Sequence, residues 1–121
     1  SVIDTLALIT DDIVFNSGEV INAAEATSMT VSGSTSDINV DQQVRIVYSD
    51  QNAREIDVFA TIDVDGNYFV AGVDLSALAD GPINVTLNSI DIPGNTVSRT
   101  TVITKDTDAV ITVKFDGELP Y

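Results

Sequence analysis

Oxygen donors dominate the residues of this chain that could do chemistry. Asp11 and Asp12 stand side by side, Asn22 and Glu25 come close behind, and Asp74 and Asp80 bracket a later segment. Asp4, Asp91, Asn95, Asp106 and Asp108 complete the set of candidate ligands. Paired carboxylates can hydrolyse glycosides when a cleft holds them, or they can bind a hard cation. The chain has no Cys and no His, which removes thiolate chemistry, the commonest general base and the usual transition-metal ligands. Its 19 acidic residues face five basic ones, for a formal net charge of −14. Carboxylates gathered together raise one another's pKa and oppose folding unless something cationic sits among them. Five basic side chains are too few for that, whereas Ca²⁺ accepts about six to eight oxygens from Asp, Glu, Asn and backbone carbonyls in loose geometry. Calcium is therefore the cation these residue types imply.

The elements that must position these groups read as strands. At 121 residues the chain suffices for one domain with one core. β-Branched residues recur with a period of two, in short runs broken by Gly, Asn, Asp and Pro. Strands are expected over Thr5–Thr10, Thr27–Gly33, Gln43–Ser49, Glu55–Ile62, Asn67–Val73, Ile83–Ile90 and Val97–Lys105. Val44, Ile46 and Tyr48 share one face of the third, and Val85, Leu87 and Ser89 one face of the sixth. Helix is confined to two short turns, Asn22–Ala26 and Asp74–Gly81, where Leu75 and Leu78 could plug the end of the core. IVF, at Ile13–Phe15, reads as a bulged continuation of the first strand, closed by a turn at Asn16–Gly18. The expected fold is all-β: an immunoglobulin-like sandwich of about seven antiparallel strands with Greek-key connections.

Strands that alternate in direction sort the loops to two poles. The N-terminal pole should collect Asp4, Asp37, Asp41, Asp63, Asp65 and Asp91 to Asn95. The C-terminal pole should collect Asp11 to Glu25, Asp50 to Arg54, Asp74 to Asp80, Asp106 and Asp108. One calcium site is expected at the C-terminal pole, from Asp11 or Asp12, Glu25, and Asp74 or Asp80, helped by Asn22 or nearby carbonyls.

INAAEA (Ile21–Ala26), VDLSALADGPINVTL (Val73–Leu87) and DIPGNTVSRTTVITKDT (Asp91–Thr107) together resemble the tandem immunoglobulin-like repeats of giant, type I-secreted bacterial adhesins. These include the biofilm-associated, RTX-type and ice-binding adhesins. The first motif of the chain also returns: DTLALIT at Asp4–Thr10 is echoed 102 positions later by DTDAVIT at Asp106–Thr112, with five of seven positions identical. A tandem array accounts for the echo, because the last strand of one repeat runs into the first strand of the next. Residues 1–107 are then one repeat, and 108–121 a linker with the first strand of a following repeat, or a C-terminal extension. The resemblance implies the same metal in the same loops. It also implies a second site across each junction, from Asp106 and Asp108 of one repeat and the equivalents of Asp91 and Asn95 in the next. Asp4, Asp91 and Asn95 of this repeat would face the preceding one. The spacer IVFNSGEV between Asp12 and INAAEA is longer than the family pattern, a departure that weakens the pairing of Asp12 with Glu25.

Plainer readings stand beside these. Asp65-Gly66-Asn67 reads as a hairpin turn; as an EF-hand it would place Gly66 at position 4 instead of 6. DIPGN reads equally as a Pro-Gly turn, Asp80-Gly81 as a turn, and Asp11-Asp12 as solvated charge.

The function expected is a structural extender module of a long surface adhesin, stiffened by calcium, with adjacent repeats of the same polypeptide as its partners. The isolated domain is expected to be a monomer, a dimer through 108–121 being the alternative. The expected location is extracellular, on the bacterial surface. No apolar run reaches the roughly 20 residues that span a bilayer, Ser1–Thr10 lacks the basic start of a signal peptide, and the negative charge repels nucleic acid. The alternative is a ligand-binding module for carbohydrate, ice or a host protein, which would need clustered exposed aromatics or a regular Thr ladder. Enzymatic activity is not expected, because a small sandwich offers little cleft.

Overall fold

Alternation of apolar and polar side chains builds each long strand and decides which side of it meets the core. The computed structural model describes residues 8–10, 12–15, 18, 20–36, 38, 41–90 and 96–107. Its elements are β1 (Leu8–Ile9), β2 (Val14–Phe15), β3 (Val20–Ile21), α1 (Ala23–Ala26), β4 (Met29–Ser36), β5 (Gln43–Ser49), β6 (Glu55–Thr61), β7 (Asn67–Val73), β8 (Gly81–Ile90) and β9 (Thr96–Lys105).

Two sheets result. In the first, β1 and β2 succeed one another along one edge of β4, and β7 lines its other edge. The second has the order β3-β9-β8-β5-β6. The connections β4–β5, β6–β7 and β7–β8 each pass between the sheets, as in a Greek-key immunoglobulin-like sandwich. Pairing is antiparallel except between β3 and β9, which run parallel with Val20 opposite Thr104 and Ile21 opposite Lys105. Seven long strands were expected. The additional pieces arise because the first strand is broken around Asp12 and then changes sheet, so it contributes to both. Thr5–Ala7 of that strand, and the Asp91–Asn95 loop, lie outside the described residues.

Ile9, Met29, Val31 and Tyr68 from one sheet face Val44, Ile46, Tyr48, Ile83, Val85, Leu87 and Ile103 from the other, all buried. Burying a side chain of this size stabilises by about 1.5–3 kcal/mol. Leu75, Leu78 and Ala26 close the core at the C-terminal pole, as the spacing of the leucines predicted. Ser89 lies on the inward face with Val85 and Leu87, its hydroxyl donating to Gln43 O at 2.8 Å. Arg99 Nε donates to Ile9 O and ties β9 to the first strand.

Asp65-Gly66-Asn67 forms a turn, with Gly66 at φ +82°. It is not a hairpin, because β7 pairs with β4 and the turn carries the chain across to the other sheet. Asp63 Oδ1 accepts the N–H groups of Asp65 and Asn67, both at 2.9 Å. That carboxylate closes its own loop, which differs from an EF-hand.

Tyr48 and Tyr68 bury their hydroxyls with no hydrogen-bond partner among the described residues. Burial first, and then the nearby Tyr68, pushes the Tyr48 phenol upward. Burial, with the Asp12 charge second, raises Tyr68 to about 12. A buried hydroxyl without a partner costs stability. Tyr48→Phe is therefore expected to stabilise the domain by about 1 kcal/mol, read as a raised urea midpoint at unchanged m-value. A lower midpoint would mean that the hydroxyl is satisfied in solution.

Candidate functional site at the C-terminal pole

α1, the 74–80 segment, the Asp50–Arg54 turn and the end of β9 meet at one end of the sandwich. Leu75 N–H donates to Ala26 O at 2.7 Å, and Asp106 N–H to Ile21 O at 2.8 Å. These two bonds bring the helical turn, the loop and the exiting chain together.

Asn22 and Glu25 form a capping box. Asn22 Oδ1 accepts Glu25 N–H at 2.8 Å, and Glu25 Oε1 accepts Asn22 N–H at 2.9 Å. The N-x-x-E spacing signals this in the sequence. Two candidate ligands thus satisfy each other's backbone.

The 74–80 segment is held from several sides. Lys105 is 4% exposed, and its Nζ donates to Leu75 O at 2.9 Å, Leu78 O at 2.6 Å and Ser76 O at 3.2 Å. Arg54 Nη1 donates to Ala77 O at 2.8 Å, and Gln51 Nε2 to Asp80 O at 3.0 Å. Asp50 Oδ2 accepts Ala79 N–H at 2.8 Å, while its Oδ1 accepts the N–H groups of Asn52 and Arg54 at 2.8 and 2.9 Å. Both oxygens of Asp80 accept the Thr107 hydroxyl at 2.9 Å, and Oδ2 also accepts Thr107 N–H at 3.1 Å. Asp74 Oδ1 accepts Ser76 N–H at 2.9 Å.

These bonds set the charges. Thr107, through its N–H and then its hydroxyl, lowers the Asp80 pKa, with the Lys105 charge also contributing. The hydroxyl and N–H of Ser76 lower that of Asp74, again with help from Lys105. Hydrogen bonding to the ionised form is the common cause.

Asp12 lies elsewhere. It sits where the first strand breaks, alongside Ser34 of β4, whose hydroxyl donates to Asp12 Oδ2 at 2.7 Å; the Thr10 hydroxyl donates to Oδ1. These hydroxyls, Thr10 first and Ser34 second, lower its pKa. Glu25 instead precedes Met29 at the far end of β4, so Asp12 and Glu25 are apart. The strand-break geometry explains this: the chain needs β2 and β3 to reach the pole after Asp12.

The pole therefore gathers Asn22, Glu25, Asp74, Asp80 and Asp106. Among the described residues, no three acidic side chains converge closely enough to hold an ion. Carbonyl and carboxylate oxygens of the 74–80 segment are largely met by protein donors, so these residues alone do not fit a complete calcium shell. The other candidates, Asp4, Asp11, Asp91, Asn95 and Asp108, lie outside the described residues. Sequence reading placed Asp50 at this pole without giving it a role, and missed Lys105. Lys105 was visible in principle, since alternation from the buried Ile103 turns it inward.

An open cleft of about 440 Å³ lies at the opposite pole, lined by Asp41, Gln42, Gln43, Arg45, Phe59, Asn88 and Ser89. Arg45 is already bound to Asp57, with Nη2 2.8 Å from Oδ2. Among the described residues, the cleft offers one aromatic ring and one carboxylate.

The fold matches solved adhesin repeats. The chain is 30% identical to the tetra-tandem repeat in the extending region of a large adhesion protein, with a TM-score of 0.69 over 83% of this chain and 24% of that one. A bacterial immunoglobulin-like domain from the M. primoryensis ice-binding adhesin is 31% identical over 83% of this chain and 95% of its own length. The chain belongs to the immunoglobulin-like repeats of large bacterial adhesins. For that single domain the TM-score is 0.43. A Ca²⁺-stabilized adhesin that helps an Antarctic bacterium reach out and bind ice is 29% identical to the repeat, with a TM-score of 0.51 over 91% of this chain and 26% of that one. The repeat thus spans about a quarter of each of the two longer chains. No family model and no curated protein matches the sequence.

Proposed function

We propose that this repeat is an extender: a spacer in a long bacterial surface adhesin, exported outside the cell and joined end to end with like repeats. The observation that carries the reading is the placement of its ends. Leu8 begins β1 beside Ser36, at the N-terminal pole, and Thr107 leaves beside Asp80, at the C-terminal pole. A ten-residue strand such as β9 rises about 3.3 Å per residue, so each repeat adds roughly 30 Å along the array. Kinship with the extending region of a large adhesion protein supports the same role. In this proposal residues 1–107 are the repeat and 108–121 lead into the next unit of the array.

Calcium at the junctions is the finer part of the proposal. Asp106 and Asp108 would supply one half of a shared shell, and the next repeat's counterparts of Asp91 and Asn95 the other; Asp4, Asp91 and Asn95 of this repeat would face the preceding one. The chemistry of the donors fits a hard cation, and a Ca²⁺-stabilized relative supports the choice. An ion shared by two domains resists bending, because a bent joint breaks ligand bonds. It also stabilises by mass action, about 2.7 kcal/mol at a concentration 100-fold above its Kd.

The test is a tandem of two repeats measured by small-angle X-ray scattering and thermal unfolding. Replacing EDTA with Ca²⁺ should lengthen and narrow the distribution of dimensions and raise Tm by several degrees, with little effect from Mg²⁺. Unchanged dimensions and unchanged Tm would exclude calcium from the junction.

A further inference from the structure

We propose that the Lys105 ammonium is a built-in cation for the C-terminal pole, filling an oxygen cradle that the 74–80 segment would otherwise leave to an ion from solution. An ammonium carries three donors and no acceptor. The cradle presents three carbonyl oxygens, of Leu75, Ser76 and Leu78, at 2.9, 3.2 and 2.6 Å. Lysine is almost never fully buried unless it is paired, yet Lys105 is 4% exposed at the end of the core. Its position is fixed from two directions: it pairs with Gly81 across β8 and with Ile21 of β3. The stem continues the inward face begun by Ile103, and the head reaches the carbonyls.

The charge serves the surroundings as well. Asp74 and Asp80 both feel it, so it offsets negative charge at a pole where a −14 chain has few cations to spare. Convergent carbonyls beside carboxylates are the donor set of a hard-cation site. Here the chain itself supplies the cation. The consequence is that the 74–80 segment keeps its shape without calcium, and any calcium response of the array belongs to the junctions. The inference goes beyond the extender reading and can stand or fall apart from it, because its readout lies inside a single repeat.

The experiment is amide hydrogen exchange on the whole chain, wild type and Lys105→Met, in EDTA and in Ca²⁺. Wild type should show equal protection at residues 75–80 in both solutions. Lys105→Met should lose at least tenfold protection there while β5 and β8 lose less, and ammonium should restore part of it where tetramethylammonium at equal concentration does not. Equal protection in the variant, or loss in wild type on chelation, overturns the proposal. Should the variant not fold, nitrogen-15 NMR of the wild-type lysine decides: slowly exchanging ammonium protons with hydrogen-bond couplings to the Leu75, Ser76 and Leu78 carbonyls support it, and a freely exchanging ammonium overturns it.

Discussion

Gly33→Ala is expected to destabilise the repeat by about 3 kcal/mol, a fall in Tm on the order of 10 °C. Gly33 pairs with Tyr68 across β4 and β7, and the ring of Tyr68 lies over the space where a side chain would be. A Cβ there would sit 2.3 Å from the Tyr68 hydroxyl oxygen, 2.6 Å from Cζ and 3.0 Å from Cε2. The ring is buried and packed into the core, so it has little room to withdraw. An aromatic that covers a cross-strand glycine pins the register of the pair, and an added methyl forces it off its rotamer. The double variant Gly33→Ala/Tyr68→Phe provides the check, because losing the oxygen removes the nearest contact. The two substitutions should couple favourably by more than about 0.5 kcal/mol; strict additivity in urea unfolding would rule out the clash.

Asp50→Asn should lower the urea midpoint at pH 7 and flatten the acid limb of stability. One carboxylate organises two elements here, the β5–β6 turn through Asn52 and Arg54 and the 74–80 segment through Ala79. Asparagine keeps one acceptor oxygen and sets an NH₂ group against a backbone N–H. The hydrogen bond from Ala79 N–H, ahead of those from Arg54 and Asn52, holds the Asp50 pKa below the ordinary 3.8 against the opposing effect of burial. In the interval between those two values the unfolded chain binds more protons, so stability rises with pH there. The contribution is fully present above about pH 4 and is lost as pH falls through the folded value. Asp12, Asp74 and Asp80 are lowered as well and add to the same limb. Urea titrations from pH 7 to pH 2 should give a shallower dependence for Asp50→Asn below about pH 4. A slope equal to wild type would show that Asp50 is not held ionised by these bonds.

Most of the architecture was legible because period-two alternation is local. The expected bounds of Gln43–Ser49 and Asn67–Val73 coincide with β5 and β7, and the inward faces of β5 and β8 were read correctly. Pairing was harder, since it depends on contacts distant in sequence. Nothing near Asp65-Gly66 reveals that the turn changes sheets, and nothing near Val20 reveals a parallel partner 84 residues on, at Thr104. The acidic residues were legible as a population of oxygen donors. Their individual commitments were not, because a carboxylate that accepts its own turn's amides, such as Asp63, has the same composition as one that awaits an ion. Lys105 illustrates the remaining difficulty: alternation turns it inward, but what its ammonium meets is legible only once the carbonyls of Leu75, Ser76 and Leu78 are seen around it.

In an array of the proposed kind, the parallel pairing of β3 with β9 would contribute to how the repeat answers to pulling. In the proposed array, tension from Thr107 draws β9 outward past the C-terminal pole, while the pull on the other side loads β1 and β2 on β4 first and draws β3 back toward the opposite pole once they give way. Two parallel neighbours hauled in opposite directions along their own axes slide, so their hydrogen bonds are strained together instead of opening one at a time. Forced unfolding is governed by the rate of escape from the native state, and simultaneous strain raises the barrier to that escape. The short β3, easily dismissed as a two-residue irregularity, is thus a second hold on β9 after β1 and β2.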